Sequence, residues 1–314
     1  MAKTKDAPNA SVSFEGGNDA QEAIQKKMEQ IEGAVEAAPQ QPQLPPQNLT
    51  TSPFLAMVPS EVVPLPSKGK VYPEGHPLHH ADHVEIRHMT ARDEDILTTR
   101  SFIRRGNVVD VLIKNCLTDK NIDVKDLLVG DRNAIMVTLR ITGFGAKYVA
   151  QITHPISGEE FEHSFDLDGL PVKELGVEPV TPGSNLFDYT LPKSQVKVLF
   201  KLITGSDEDK INKQVETNRK ATQGTGIDNL VTSRLKSQIL QLVDSEGNIT
   251  DEEGVISQFI DNMSSFDSKA FRDYVDKIEP DVDMRQEVVC PVTGETGEVE
   301  IPIGIEFFWP RSRN

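Results

Sequence analysis

Cysteine is almost missing from this 314-residue chain: Cys116 and Cys290 are its only two, too few for the disulfide framework of a small secreted domain. Aromatic residues make up only 6%, and no apolar run is long enough to cross a bilayer. Basic residues are outnumbered, 33 Lys and Arg against 49 Asp and Glu, and a formal net charge of -16 repels a phosphate backbone. No secretory leader opens the sequence. The composition therefore predicts a cytosolic protein with neither nucleic-acid nor membrane partners. Catalytic signatures are missing too: there is no Gly-x-Ser-x-Gly elbow, phosphate-binding Walker loop or His-Glu-x-x-His helix. Cys116 sits in an apolar helical stretch and reads as a small buried hydrophobe. The expectation is a protein that is not an enzyme and carries no cofactor.

With 37% hydrophobic residues, the chain has enough apolar side chain for one compact domain plus extended segments. Residues 1–66 read as a flexible arm rich in proline, since PQQPQLPPQNLTTSPFLAMVPSEVVPLP offers little to bury. Within the arm, Ile24, Met28, Ile31 and Val35 fall at helical spacing, a narrow stripe for an amphipathic helix that is either transient or docks on a partner. Residues 67–314 read as a single core domain. Alternation over Val84–Met89 predicts a strand, and Thr90 with Asp93 predicts a capped helix start. The helical region runs over 90–143, with a helix from Asn107 to Leu117 and another capped by Asp131 and stopped by Gly143 and Gly145. A hairpin follows over 147–167, then a helical block over 192–278, with helices near Ser194–Ile203, Asp207–Arg219, Ile227–Val243, Asp251–Met263 and Ser268–Ile278. A second hairpin over 284–303 closes the domain. Because a two-stranded ribbon is marginal alone, the two hairpins are expected to join in one sheet.

The hairpin turns carry the most specific chemistry. Cys290-Pro291-Val292-Thr293-Gly294 and His154-Pro155-Ile156-Ser157-Gly158 each match one half of a zinc knuckle, with a hydroxyl where the second thiolate belongs. Of four ligands only His154 and Cys290 remain, so the turns are expected to be free of metal. A second metal candidate is the segment holding His76, His79, His80, His83 and His88 beside Asp82, among them His79, His80 and His83; a solvated, proline-broken loop before a strand is the preferred reading. Asp244–Glu253 has acidic spacing like a calcium loop, but Ile249 stands where the sharp-turn glycine belongs, so it reads as a turn between helices capped by Thr250. The terminal Phe307, Phe308 and Trp309 either plug the core or anchor a partner.

Several stretches in order resemble the baseplate hub protein family of T-even-type contractile-tailed phages. They are Leu65-Pro66-Ser67-Lys68-Gly69-Lys70 with Tyr72, Met89-Thr90-Ala91-Arg92-Asp93-Glu94-Asp95-Ile96-Leu97, Leu127-Leu128-Val129-Gly130-Asp131-Arg132-Asn133, Phe259-Ile260-Asp261-Asn262-Met263, and Phe307-Phe308-Trp309-Pro310. The resemblance covers roughly residues 65–310 and implies paired C-P-x-C turns at the hairpins, of which this chain would be a degenerate version. It implies a structural role in the hub, or an assembly chaperone absent from the mature virion, with other baseplate and tail proteins as partners in a symmetric assembly. The implied location is the virion tail baseplate, after assembly in the host bacterial cytoplasm. A metal-binding protein of unknown activity is the remaining alternative. The expected fold class is α+β: a mainly helical domain with a small antiparallel sheet built from two degenerate zinc-ribbon-like hairpins, preceded by a long extended arm.

Overall fold

Val84 and Ile86 alternate with polar neighbours, the period of a strand with one buried face. Both are buried in β2 (His83–Arg87), which pairs antiparallel with β1 (Ser60–Pro64). The computed structural model describes residues 58–221, 229–303 and 305–308, all within the unit Met57–Asn314. Residues 60–64, which the sequence reading places in the arm, are therefore a strand. Only Val63 of β1 faces the core, an apolar signal too short to stand out among the prolines. Ile24, Met28, Ile31 and Val35 lie outside the described residues.

Helix α1 (Ala91–Thr98) begins as its sequence predicts: the Thr90 backbone N and Oγ1 each donate to Asp93 Oδ2 at 2.8 Å, satisfying the helix start. A short α2 (Arg100–Arg105), which the sequence reading did not resolve, ends at Gly106, whose φ of 72° suits glycine. α3 (Val108–Cys116) turns Val108, Leu112, Ile113 and Cys116 inward. α4 (Val129–Phe144) buries Ile135, Met136 and Leu139 at the predicted spacing. Its cap is Leu128, not Asp131, and the helix passes through Gly143 to stop at Gly145. Gly130 is needed for packing, because a Cβ there would fall on the Pro280 carbonyl.

Strands β3 (Lys147–Thr153) and β4 (Glu160–Asp166) form the first predicted hairpin. After the two-residue β5 (Val172–Lys173), the expected helical block gives way to mixed structure. β6 (Phe187–Thr190) and β7 (Lys197–Phe200) precede helices α5 (Gly205–Ala221) and α6 (Leu230–Gln238). β8 (Ile239–Val243) and β9 (Ile249–Thr250) complete a four-stranded antiparallel sheet in the order β6-β7-β8-β9. The helix expected at Ser194–Ile203 is thus a strand, and the one expected through Val243 ends at Gln238. Val198 and Phe200 are both buried two positions apart, the strand period, and a run that short also fits a helical spacing. Tertiary contact decides it: Phe200 packs edge-on against Phe271, with ring centroids 5.0 Å apart.

Helices α7 (Glu253–Asp261) and α8 (Ser265–Ile278) follow close to prediction. Ser264 caps α8 by accepting from the Asp267 backbone at 3.1 Å. The turn from Asp244 to Asn248 joins β8 to β9, and Thr250 belongs to β9; this segment is not a link between helices. Last come β10 (Asp281–Val282), paired with β5, then β11 (Arg285–Val289) with β12 (Thr296–Glu300), and the one-turn α9 (Ile305–Phe308). The fold is mixed α/β, with nine helices and several small antiparallel sheets among the described residues.

The two hairpins do not join in one sheet. Each remains a two-stranded ladder, and they meet turn against turn instead of edge against edge. Their marginal ribbons are steadied by side-chain packing: Tyr148 of β3 stacks on Phe165 and receives Phe307 edge-on at 5.1 Å, while its hydroxyl donates to the Pro302 carbonyl at 3.0 Å.

Candidate functional site

The two half-knuckles have the same backbone hydrogen bonds. His154 N donates to Glu159 O and Gly158 N to His154 O, each at 2.9 Å; Cys290 N donates to Glu295 O and Gly294 N to Cys290 O, again at 2.9 Å. Gly158 and Gly294 take φ of 72° and 73°, a left-handed conformation that side chains resist. Residues 133 apart then converge, because Ser157 Oγ stands 3.4 Å from Cys290 Sγ and 3.2 Å from His154 Nδ1. Hydrogen bonds from Ser157, then from Thr293, pull the buried Cys290 thiol down to about 7. The other face of the His154 ring lies against Gly297, where a Cβ would stand 2.9 Å from Nε2. The structure thus gathers His154, Ser157, Cys290 and Thr293 in one place. Two of the four are hydroxyls, weak ligands for zinc, and they fill the junction with hydrogen bonds.

The motif residues at 67–72 and 128–131 meet in a second buried cluster. Asp131 Oδ1 accepts from Ser67 N at 3.0 Å, and Oδ2 accepts from Ser67 Oγ and the Tyr72 hydroxyl at 2.6 Å each. Leu128 N in turn donates to the Tyr72 hydroxyl at 3.1 Å. Burial raises the Asp131 pKa above the ordinary carboxylate value, against the donors that lower it, and burial with the Asp131 charge raises that of Tyr72. A third cluster surrounds Asp93. Burial pushes this carboxyl up, but the bidentate Arg87 guanidinium at 2.6 and 2.9 Å, with Thr90 and Asn115, holds it well below its usual range. Both clusters were missed as sites by the sequence reading. Sequence spacing signals the Thr90–Asp93 pair but cannot show that Ser67 and Tyr72 return to Asp131.

Of the other candidates, His79 and His80 are neighbours, with ring centroids 4.1 Å apart. His79 Nδ1 lies 2.6 Å from the Tyr72 carbonyl, His76 stacks on Tyr72, His83 pairs with Asp82, and the backbone at His80 takes a φ of 55°. Among the described residues, no group of three or more His, Cys, Asp or Glu is arranged to hold a metal ion. Asp244 spends its carboxylate on the turn, accepting from the backbone of Glu246 and Asn248 at 2.8 and 2.9 Å. Cys116 is fully buried, which pushes its thiol up to about 11. Phe307 and Phe308 are buried, so their apolar surface is used inside the chain, while Trp309 lies outside the described residues. A groove of about 630 Å³ between α7 and the β6–β7 turn is lined by Val255, Phe259, Met263, Lys193 and Asp267. The paired spacing of Phe259 and Met263 was visible in the sequence, but not that this face is left open.

Residues 57–309 match a protein family described as T4 bacteriophage base plate protein. No curated protein and no solved structure matches the chain.

Proposed function

We propose that this chain, which belongs to the T4 bacteriophage base plate protein family, is a structural component of the hub of a contractile tail, acting through protein–protein contacts and without catalysis. The observation that carries the reading is the extent of the match, which spans nearly all of the unit Met57–Asn314. The interior supports it. Asp93 and Asp131 are committed to internal donors and both cysteines are buried, so these four groups serve the interior of the fold. The hairpin pair reads as a zinc-ribbon-like unit in which hydrogen bonds have taken the place of the ion. The partners are other baseplate and tail proteins, and the location is the tail baseplate of the virion, reached by assembly in the bacterial cytoplasm.

Quantitative mass spectrometry of purified particles and of baseplate assembly intermediates tests this. The expected result is the chain in both, at a fixed ratio to the other baseplate subunits. Presence in intermediates with loss from particles would make it an assembly chaperone, and absence from both would overturn the reading.

A further inference from the structure

The third residue of each half-knuckle is apolar and points away from the fold. Ile156 is 63% exposed and Val292 is 72% exposed, in two turns with the same hydrogen bonds. The turns touch through Ser157 and Cys290, so each apolar residue stands one or two positions from the contact. Proline precedes each, at Pro155 and Pro291, and fixes φ there, and two backbone hydrogen bonds close each turn around a glycine at φ of 72° or 73°. Packing locks the pair as well, because the first turn rests on Gly297, where a Cβ would stand 2.8 Å from Pro155 Cγ. Two exposed aliphatic side chains on stiff, mutually braced turns lose little entropy when a partner covers them.

The surroundings say what kind of partner fits. Exposed Glu159, Glu160 and Glu295 flank the two apolar residues, and the stretches 150–162 and 288–299 contain no Lys or Arg; Lys147 and Arg285 lie at the far ends of the hairpins. We propose that the paired turn tips form a docking prong, with Ile156 and Val292 seating in an apolar pocket rimmed by Lys and Arg on another protein. The apolar pair supplies contact area, and the carboxylates steer and orient the encounter. The proposal rests on the baseplate reading only for where that partner is found.

The test places a photo-crosslinking amino acid at position 156 or 292 of the full chain in phage-infected cells. Position 249 serves as control, since Ile249 is similarly exposed at 65% outside the hairpins. Crosslinked peptides are mapped to residues by mass spectrometry. Positions 156 and 292 are expected to crosslink to one segment of one partner, within a few residues of Lys or Arg, at about tenfold the yield of position 249. Reversing Glu159, Glu160 and Glu295 to Lys lowers that yield by about tenfold while the melting temperature of the purified chain is unchanged. Yields no higher than the control, a segment flanked by acids, a second copy of this chain, or indifference to the charge reversal would each overturn the proposal. A chain missing from particles and intermediates, but crosslinked as expected, would remove the hub assignment and leave the prong standing.

Discussion

The hydroxyl of Ser157 lies 3.4 Å from the sulfur of Cys290, 133 residues away in sequence, and this contact joins the two hairpin turns. A hydroxyl and a thiol from the two turns are thus in direct contact. A single weak hydrogen bond contributes only about 1 kcal/mol, and the close packing of Gly297 on His154 and Pro155 adds a second contact between the hairpins.

The purified chain is expected to hold no stoichiometric zinc after dialysis. Replacing Ser157 and Thr293 together by cysteine completes a set of one imidazole and three thiolates, from His154, Cys290 and the two new side chains. This double variant is expected to bind one zinc and gain melting temperature with it. Elemental analysis decides both halves. One zinc per wild-type chain, lost on Cys290→Ala, would show that the junction is a metal site after all.

Asp131 anchors the turn at Ser67–Tyr72 to α4, so Asp131→Ala leaves three buried donors without their acceptor. The expected loss is about 2–4 kcal/mol, against about 1–2 kcal/mol for Tyr72→Phe, which keeps the packing but removes one donor to Asp131 and the acceptor of Leu128 N. Urea denaturation measures both. Losses below about 0.5 kcal/mol for both variants would mean that water replaces the lost partners at this site.

Glu279 titrates in the direction that weakens the fold as pH rises. Burial pushes its carboxyl up to about 7, with Asp281 and Asp276 adding to the rise and Arg234 and Lys173 opposing it. Between the ordinary value of 4.5 and about 7 the folded chain keeps a proton that the unfolded chain has released, so stability falls through that window and the loss is complete above it. Glu279→Gln cannot ionise, and it is expected to flatten this part of the pH profile and raise stability at pH 8 by about 1–3 kcal/mol. Equal slopes for variant and wild type between about pH 5 and pH 7.5 would exclude Glu279 as the source.

Removing residues 1–57 is expected to leave the melting temperature of the remainder within about 2 °C, because β1 begins at Ser60 and Met57–Asn314 has its own core. The same truncation is expected to reduce incorporation into baseplates, measured by mass spectrometry of particles from complemented infections. Normal incorporation would show that the ordered surface alone holds the partners.

Local sequence signals determine whatever neighbouring residues decide among themselves. The capped start at Thr90–Asp93, the helical spacing of Ile135, Met136 and Leu139 and the two hairpins with their glycine-closed turns all follow from interactions within a few residues. Tertiary structure decided everything whose energy comes from distant contact. Lys197–Phe200 is a strand because a sheet and Phe271 receive it, although so short an apolar run fits a helix as well. Asp131 reads locally as a helix cap and is instead a buried acceptor for a turn some sixty residues earlier. The hairpins resemble each other for local reasons, but whether they would pair by strand edges or touch by their turns depended on side chains far apart in sequence. Backbone propensity is a sum over near neighbours, while burial is shared among residues that only the folded chain brings together.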